Sequence, residues 1–184
     1  MIHKLCFYFI SKFDKSLINK LDKNIHLIYR NYKKKYEKDE ILQIKKVCKL
    51  QKRKFFLANN LKLAKSLKLD GAYIPSFNKD PVPFNLKDRS FLILGSAHNL
   101  KEMIQKKKQN IDLIFLSPLF KIEKRNYFLG PIKYRILSNH FNIKTIALGG
   151  INKENLKMID IINCYGFASI SYIEKYKLNG KRKN

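Results

Sequence analysis

The sequence predicts an α/β protein, a compact (β/α)8 TIM barrel with a nearly absent last helix. Three observations predict it. Eight short apolar runs alternate with segments of helical spacing, which implies βαβ units and a parallel sheet. Most of these runs are continuously apolar, as in strands covered on both faces. Eight units close most naturally into a barrel, whereas the competing open doubly wound sheet commonly has five or six strands.

The elements follow in order. "KLCFYFIS" is the first strand, rich in aromatic and aliphatic residues, and "SLINKLDK" a short helix. "NIHLIYRNY" is the second strand. "DEILQIKKVCKLQKR" places Ile41, Leu42, Ile44, Val47 and Cys48 at helical spacing with a basic outer face. "KFFLANN" is the third strand, "NLKLAKSLK" a short helix, and "GAYIPS" the fourth strand. "FNKDPVPFNLKDR" has two prolines and little periodicity, so it reads as a loop with at most a helical turn. "SFLILGSAH" is the fifth strand, and Asn99 is the N-cap of the helix "NLKEMIQKKKQ". "IDLIFLSPLF" is the sixth strand, "KIEKRNYFLG" a basic loop, and "PIKYRILSNHF" a helix opening on Pro131. "KTIALGGI", "NKENLKMIDIINC" and "YGFASIS" complete the pattern as strand, helix and eighth strand.

The chain has 184 residues, enough for a single domain over 1–173 with a basic polar tail over 174–184. Such barrels typically take about 250 residues, so the helices here must be minimal. A hydrophobic content of 45% rules out a disordered chain. The formal charge of +25 favours anionic partners, yet the basic residues are spread along the chain and fit a general Lys, Asn and Ile bias. Cys6, Cys48 and Cys164 lie far apart without a CxxC pair, which fits a reduced, cytoplasmic compartment. The apolar start is too short for a signal peptide, and no run reaches the roughly 18 residues of a membrane helix.

In such barrels a phosphate site often forms in the loops after strands seven and eight. Gly149 and Gly150 end strand seven just before a helical stretch, and glycines let backbone N–H groups approach an anion closely. Ser169 to Ser171 would complete the cradle. The same glycines could serve only a tight turn.

"GSAHNLKE", "DLIFLSPLF", "ALGGINKENL" and "GFASIS" fall in order, each at a strand end. Together they resemble the thiamine-phosphate synthase family, which includes the thiazole tautomerases. The resemblance covers about Ile25 to Ile173, and Ser96-Ala97-His98 and the Gly149-Gly150 turn are its most specific parts. It implies an enzyme joining hydroxymethylpyrimidine diphosphate to a thiazole phosphate with release of pyrophosphate. It also implies Mg2+ held by carboxylates.

Carried over by position, the resemblance implies catalytic roles for Arg30, Ser96 and His98. It implies substrate binding by Arg30, Lys33, Asn59, Ser96, Lys124, Arg125, Gly149, Gly150, Ser169 and Ser171. After strand two the family has Q-x-R-x-K; here the glutamine position is Ile28 and the lysine position is Tyr32, with Lys33 beside it. The two metal aspartates map onto Asn59 and onto Asn78 or, with a shifted gap, Asp80. An asparagine can offer a carbonyl oxygen but no charge. After strand six the family threonines are absent, leaving Lys124 or Arg125 near the lysine position. The tautomerase branch has a histidine where this chain has Pro118, which counts against that activity. Four readings stand side by side: an active synthase, a tautomerase-like relative with Pro118 against it, a relative that binds a phosphate ligand without turnover, and a basic nucleic-acid-binding protein. The last needs aromatic and basic residues on one exposed face, whereas most aromatics fall inside the predicted strands.

Overall fold

The computed structural model describes residues 4–86, 90–123, 126–141, 143–176 and 178. Eight strands, β1 (Leu5–Ile10), β2 (Ile25–Tyr29), β3 (Phe55–Ala58), β4 (Gly71–Ile74), β5 (Leu92–Ala97), β6 (Leu113–Leu116), β7 (Lys144–Leu148) and β8 (Gly166–Ala168), pair in sequence order. They form a closed barrel, every neighbouring pair parallel, with β8 returning to β1. Leu92, Ile114 and Ile146 lie within strands as expected.

The helices are α1 (Lys15–Lys20), α2 (Lys38–Leu50), α3 (Leu61–Ser66), α4 (Leu100–Lys108), α5 (Gly130–His140), α6 (Leu156–Ile161) and α7 (Ser171–Tyr176). Four of them have six residues each, and among the described residues only a 3-10 turn at Phe84–Leu86 stands between β4 and β5. This economy lets a short chain close a full barrel. Asn99 caps α4 as read from the sequence, its side chain accepting from the Glu102 N–H at 2.9 Å.

The core has two parts. Phe7, Phe9, Ile28, Phe56, Tyr73, Leu94, Phe115 and Ile146 fill the barrel interior, and a larger cluster lies between strands and helices. Phe9, Tyr73 and Phe115 meet edge to face with centroids 5.4 to 5.9 Å apart, which seals the barrel. Arg53 is buried and donates to the carbonyls of Ile18, Leu21 and Ile25, closing the end of α1 against β2.

Two glycines mark where strands approach most tightly. A Cβ at Gly71 would sit 1.9 Å from the Leu92 carbonyl oxygen on β5, and one at Gly166 2.3 Å from that of Leu5. Backbone cannot yield there without separating paired strands. Gly71→Ala is therefore expected to lower stability by at least ~2 kcal/mol, on the scale of overpacked cores. A denaturant titration reads it; an unchanged midpoint would show that the barrel opens freely at β4–β5.

Two sequence expectations are corrected. The eighth strand ends at Ala168 and Ser171 opens α7, because the Ser169 hydroxyl accepts the Tyr172 N–H at 3.2 Å and turns the chain. The helix after β7 begins at Leu156, well past Gly150. Asn152 and Asn155 hold each other's backbone N–H at 2.9 and 3.0 Å, making a separate turn in between.

Candidate active site

Parallel strands put all their C-terminal ends on one end of the barrel. Arg30 follows β2, Ser96 lies near the end of β5, and Gly149 and Gly150 follow β7. Ser171 opens α7 after β8 at the same end. The sequence-predicted groups thus converge on one rim.

Arg30 is half-buried, and its guanidinium carbon lies 4.4 Å from the Phe9 ring centroid. Its backbone N–H donates to the Ile10 carbonyl at 2.8 Å, which extends the β1–β2 ladder by one residue. A planar cation stacked on a core ring is held in place before any ligand arrives. Tyr73 is fully buried next to it, and burial pushes its phenol up from the ordinary tyrosine range. Ser96 stands beside that phenol and offsets part of the rise, so Ser96 is part of the floor of the site. Tyr73 gave no sequence signal beyond its inward place in β4. Ser117, also buried at the end of β6, was likewise missed.

His98 is oriented by its own helix. Its Nδ1 lies 2.8 Å from Glu102 Oε2, which also accepts the His98 backbone N–H at 2.8 Å. Lys33 is exposed on the loop after β2, its N–H donating to Asn31 Oδ1 at 3.1 Å. Tyr32, at the family's lysine position, is exposed and meets Phe77 with centroids 5.4 Å apart. Lys124 and Arg125 lie outside the described residues.

The Gly-Gly turn takes a backbone that glycine adopts freely and other residues do not, and it is crowded. Gly149 has φ +94 with Pro118 under it, and Gly150 has φ +71 with Lys121 and Phe120 against it. No carbonyl among the described residues accepts the N–H of either glycine. Ser169 is less available: its hydroxyl donates to the Ile151 carbonyl at 3.3 Å and accepts from Tyr172, tying the two loops together. What this turn can offer a ligand is therefore backbone N–H groups, with Ser169 bracing the two loops.

The third corner differs from expectation. Asn59 adopts φ 57, a conformation asparagine tolerates, and donates its N–H to the Tyr73 carbonyl at 2.7 Å. Asn78 Nδ2 donates to Asn59 Oδ1 at 2.7 Å. Asn78, rather than Asp80, is thus the spatial partner of Asn59. Asp80 stays against the pair through its backbone, its N–H donating to Asn78 Oδ1 at 2.9 Å while its carbonyl accepts from Gln109 Nε2 at 2.6 Å.

Beneath this corner lies Lys106, fully buried, donating to the carbonyls of Pro75 and Asn78 and to Gln109 Oε1, each at 2.8 Å. Burial pushes its pKa down to about 8. Lys106→Met would leave Gln109 Oε1 without its donor, a loss of about 1–3 kcal/mol when buried, and would strip one of two donors from each of the Pro75 and Asn78 carbonyls. A stability loss of at least ~2 kcal/mol is expected in urea unfolding even after relief of the buried charge. A neutral result would show that the loop after β4 finds other donors.

A cavity of about 860 Å³ lies at the opposite end of the barrel, lined by Lys4, Lys144, Cys164 and Tyr165 among others. It contains none of the predicted residues, and in this architecture that end serves stability. The rim with Arg30 and Gly150 is the candidate site.

The family model for thiamine monophosphate synthase matches residues 15–173. The chain belongs to this family. A thiamine-phosphate synthase from Prochlorococcus marinus is 30% identical over 141 residues, which cover 73% of this chain and 40% of that protein. A putative thiamine-phosphate synthase 2 from Aquifex aeolicus is 28% identical over 131 residues, 70% of each chain. The chain thus spans well under half of the first relative's length. The solved thiamine phosphate pyrophosphorylase from Pyrococcus furiosus has the same fold, with a TM-score of 0.67, 20% identity, and coverage of 91% of this chain and 86% of that one.

The magnesium that the resemblance implies does not fit these residues. A hard divalent cation takes charged oxygens, and the Asn59–Asn78 pair offers neutral amides already bonded to each other. Among the described residues no group of three or more His, Cys, Asp or Glu converges to hold a metal ion.

Proposed function

We propose that this protein is a thiamine-phosphate synthase, joining hydroxymethylpyrimidine diphosphate to thiazole phosphate with release of pyrophosphate. The observation that carries it is the single rim that holds Arg30, the Tyr73–Ser96 floor and the Gly149–Gly150 turn, on a chain of this family.

In this reading Arg30 and Lys33 gather the diphosphate, with Lys124 and Arg125 assigned to the same anion. The bond between the pyrimidine methylene carbon and the diphosphate oxygen breaks, and its electron pair leaves with pyrophosphate. The thiazole nitrogen lone pair then forms the new C–N bond to that methylene. No proton is gained or lost. Arg30 neutralises the charge that grows on the leaving oxygen, the step at which fixed donors matter most. Ser96, with Tyr73, supports the ring from below, and His98, fixed by Glu102, bounds the site beside it. Gly149 and Gly150, with the backbone from Ser169 to Ser171, hold the thiazole phosphate in register. No step is routed through magnesium.

Both substrates are soluble phosphorylated metabolites, and the three cysteines are buried and form no disulfide, so a cytoplasmic location goes with this reading. No helix of the described residues is long and apolar enough to cross a membrane. A second reading, phosphate-ligand binding without turnover, draws on the Asn59–Asn78 pair. A coupled assay with both precursors, with and without magnesium, separates the two. Thiamine phosphate formation is expected; its absence under both conditions, with thiazole phosphate still bound, would leave the binding reading standing.

A further inference from the structure

We propose that the diphosphate corner of this barrel binds its anion without a divalent cation, through the neutral Asn59–Asn78 amide pair set over the buried ammonium of Lys106. This rests on the synthase reading above and concerns how that site handles charge.

The pair is a preformed object. Asn59 closes β3 in a left-handed turn and is tethered to β4 through the Tyr73 carbonyl. Asn78 lies on the loop after β4, and the Asn78–Asn59 hydrogen bond of 2.7 Å ties the two strand ends together. Lys106 holds the same loop from below at two carbonyls, and Gln109 holds it again at Asn78 and Asp80 with 3.2 and 2.6 Å bonds. The backbone carrying Asn78 is thus fixed by two buried side chains of α4 and its C-cap.

Its chemistry suits a bare anion. A carboxylate at either position would repel diphosphate until a cation lay between them. An amide does not repel, and an amide pair joined by one hydrogen bond keeps N–H donors for another acceptor. In this pair Asn59 accepts through Oδ1 and retains both hydrogens of its own Nδ2. Lys106 adds a fixed positive charge bonded directly to the Asn78 carbonyl, and the guanidinium of Arg30 is braced on Phe9 after β2. The charge that a metal would bring is supplied by the protein, and the two side chains of the pair are themselves neutral, Asp80 bonding to them through its backbone N–H.

Titration calorimetry with inorganic pyrophosphate tests this. The parent is expected to bind pyrophosphate in EDTA, and magnesium should not tighten binding. The double variant Asn59→Asp, Asn78→Asp should bind metal-free pyrophosphate at least ~10-fold more weakly, about 1.4 kcal/mol. It should also take up Mn2+, seen as loss of the free-ion signal in electron paramagnetic resonance, where the parent should not. If the double variant melts early, Asn78→Asp alone carries the same test with one charge. Binding that magnesium tightens by an order of magnitude or more in the parent would overturn this inference and leave the synthase reading intact, as would unchanged metal-free binding in the variant. No pyrophosphate binding under either condition would overturn the synthase reading and this inference with it.

Discussion

Arg30→Ala is expected to lower turnover on the order of 10²-fold or more, the usual loss when a donor to developing charge is removed. The reasons are local. Arg30 is the first residue past β2, and the ladder bond to Ile10 fixes its backbone. Its guanidinium then stacks on Phe9, a ring locked among Tyr73 and Phe115 in the barrel interior. It meets the anion without first paying to order a long side chain. In the proposed reaction, a corner that offers amides in place of carboxylates would leave Arg30 an unusual share of the charge neutralisation. The fold should barely notice its loss, because a cation–π contact at a partly exposed site is worth about 0.5–1 kcal/mol. Arg30→Lys keeps the charge but not the plane or the fork, so it should recover only part of the rate. Steady-state rates beside melting curves decide the matter. A variant that turns over like the parent would remove Arg30 from the mechanism.

Gly150→Val is expected to weaken phosphate binding at the β7 turn by at least ~10-fold, about 1.4 kcal/mol. Two costs combine. At φ +71 a β-branched residue is strained, and its Cβ would stand 2.7 Å from the Lys121 carbonyl oxygen and 2.8 Å from Phe120. The loop after β6 would have to move, and the turn with it. Gly130 gives the control. It has nearly the same φ, +70, with nothing within 4 Å of its ideal Cβ. Gly130→Ala therefore reports the backbone cost alone, about 1–2 kcal/mol of stability. Gly150→Val should lose that and ligand affinity too. Calorimetric titration with thiazole phosphate or inorganic phosphate reads the difference. Parent-like affinity in Gly150→Val would place the phosphate elsewhere on the rim.

The two variants show which parts of the site the sequence carries openly. Arg30, Ser96, Gly149 and Gly150 could be named because a strand end is a position the apolar runs themselves define. The identity of their partners could not. Tyr73 reads in sequence as one more apolar-strand aromatic, and only the barrel's closure sets its phenol against Ser96. Ser169 reads as a cradle residue, yet its hydroxyl is consumed in bracing the β7 and β8 loops. The stretch after Gly150 reads as one long helix, but the mutual Asn152–Asn155 bonds delay it to Leu156. Side-chain bonds of this kind compete with helix start at a cost too small to see in periodicity.

Lys106 is the sharpest case. In "KKK" its charge is identical to that of Lys107 and Lys108, and helical phase alone puts it one turn from the buried Met103. What the sequence by itself determined is the barrel: eight apolar runs must bury both faces, and closure in order is the arrangement that does so without exposed edges. What only the tertiary structure decided is which of many similar polar residues become a site. Asn59 and Asn78 are nineteen positions apart and bond because β3 and β4 end side by side. Lys106 is buried because the loop after β4 turns the carbonyls of Pro75 and Asn78 toward α4, where its ammonium bonds both. Backbone acceptors taken out of water must find donors, and that demand is met across space rather than along the chain.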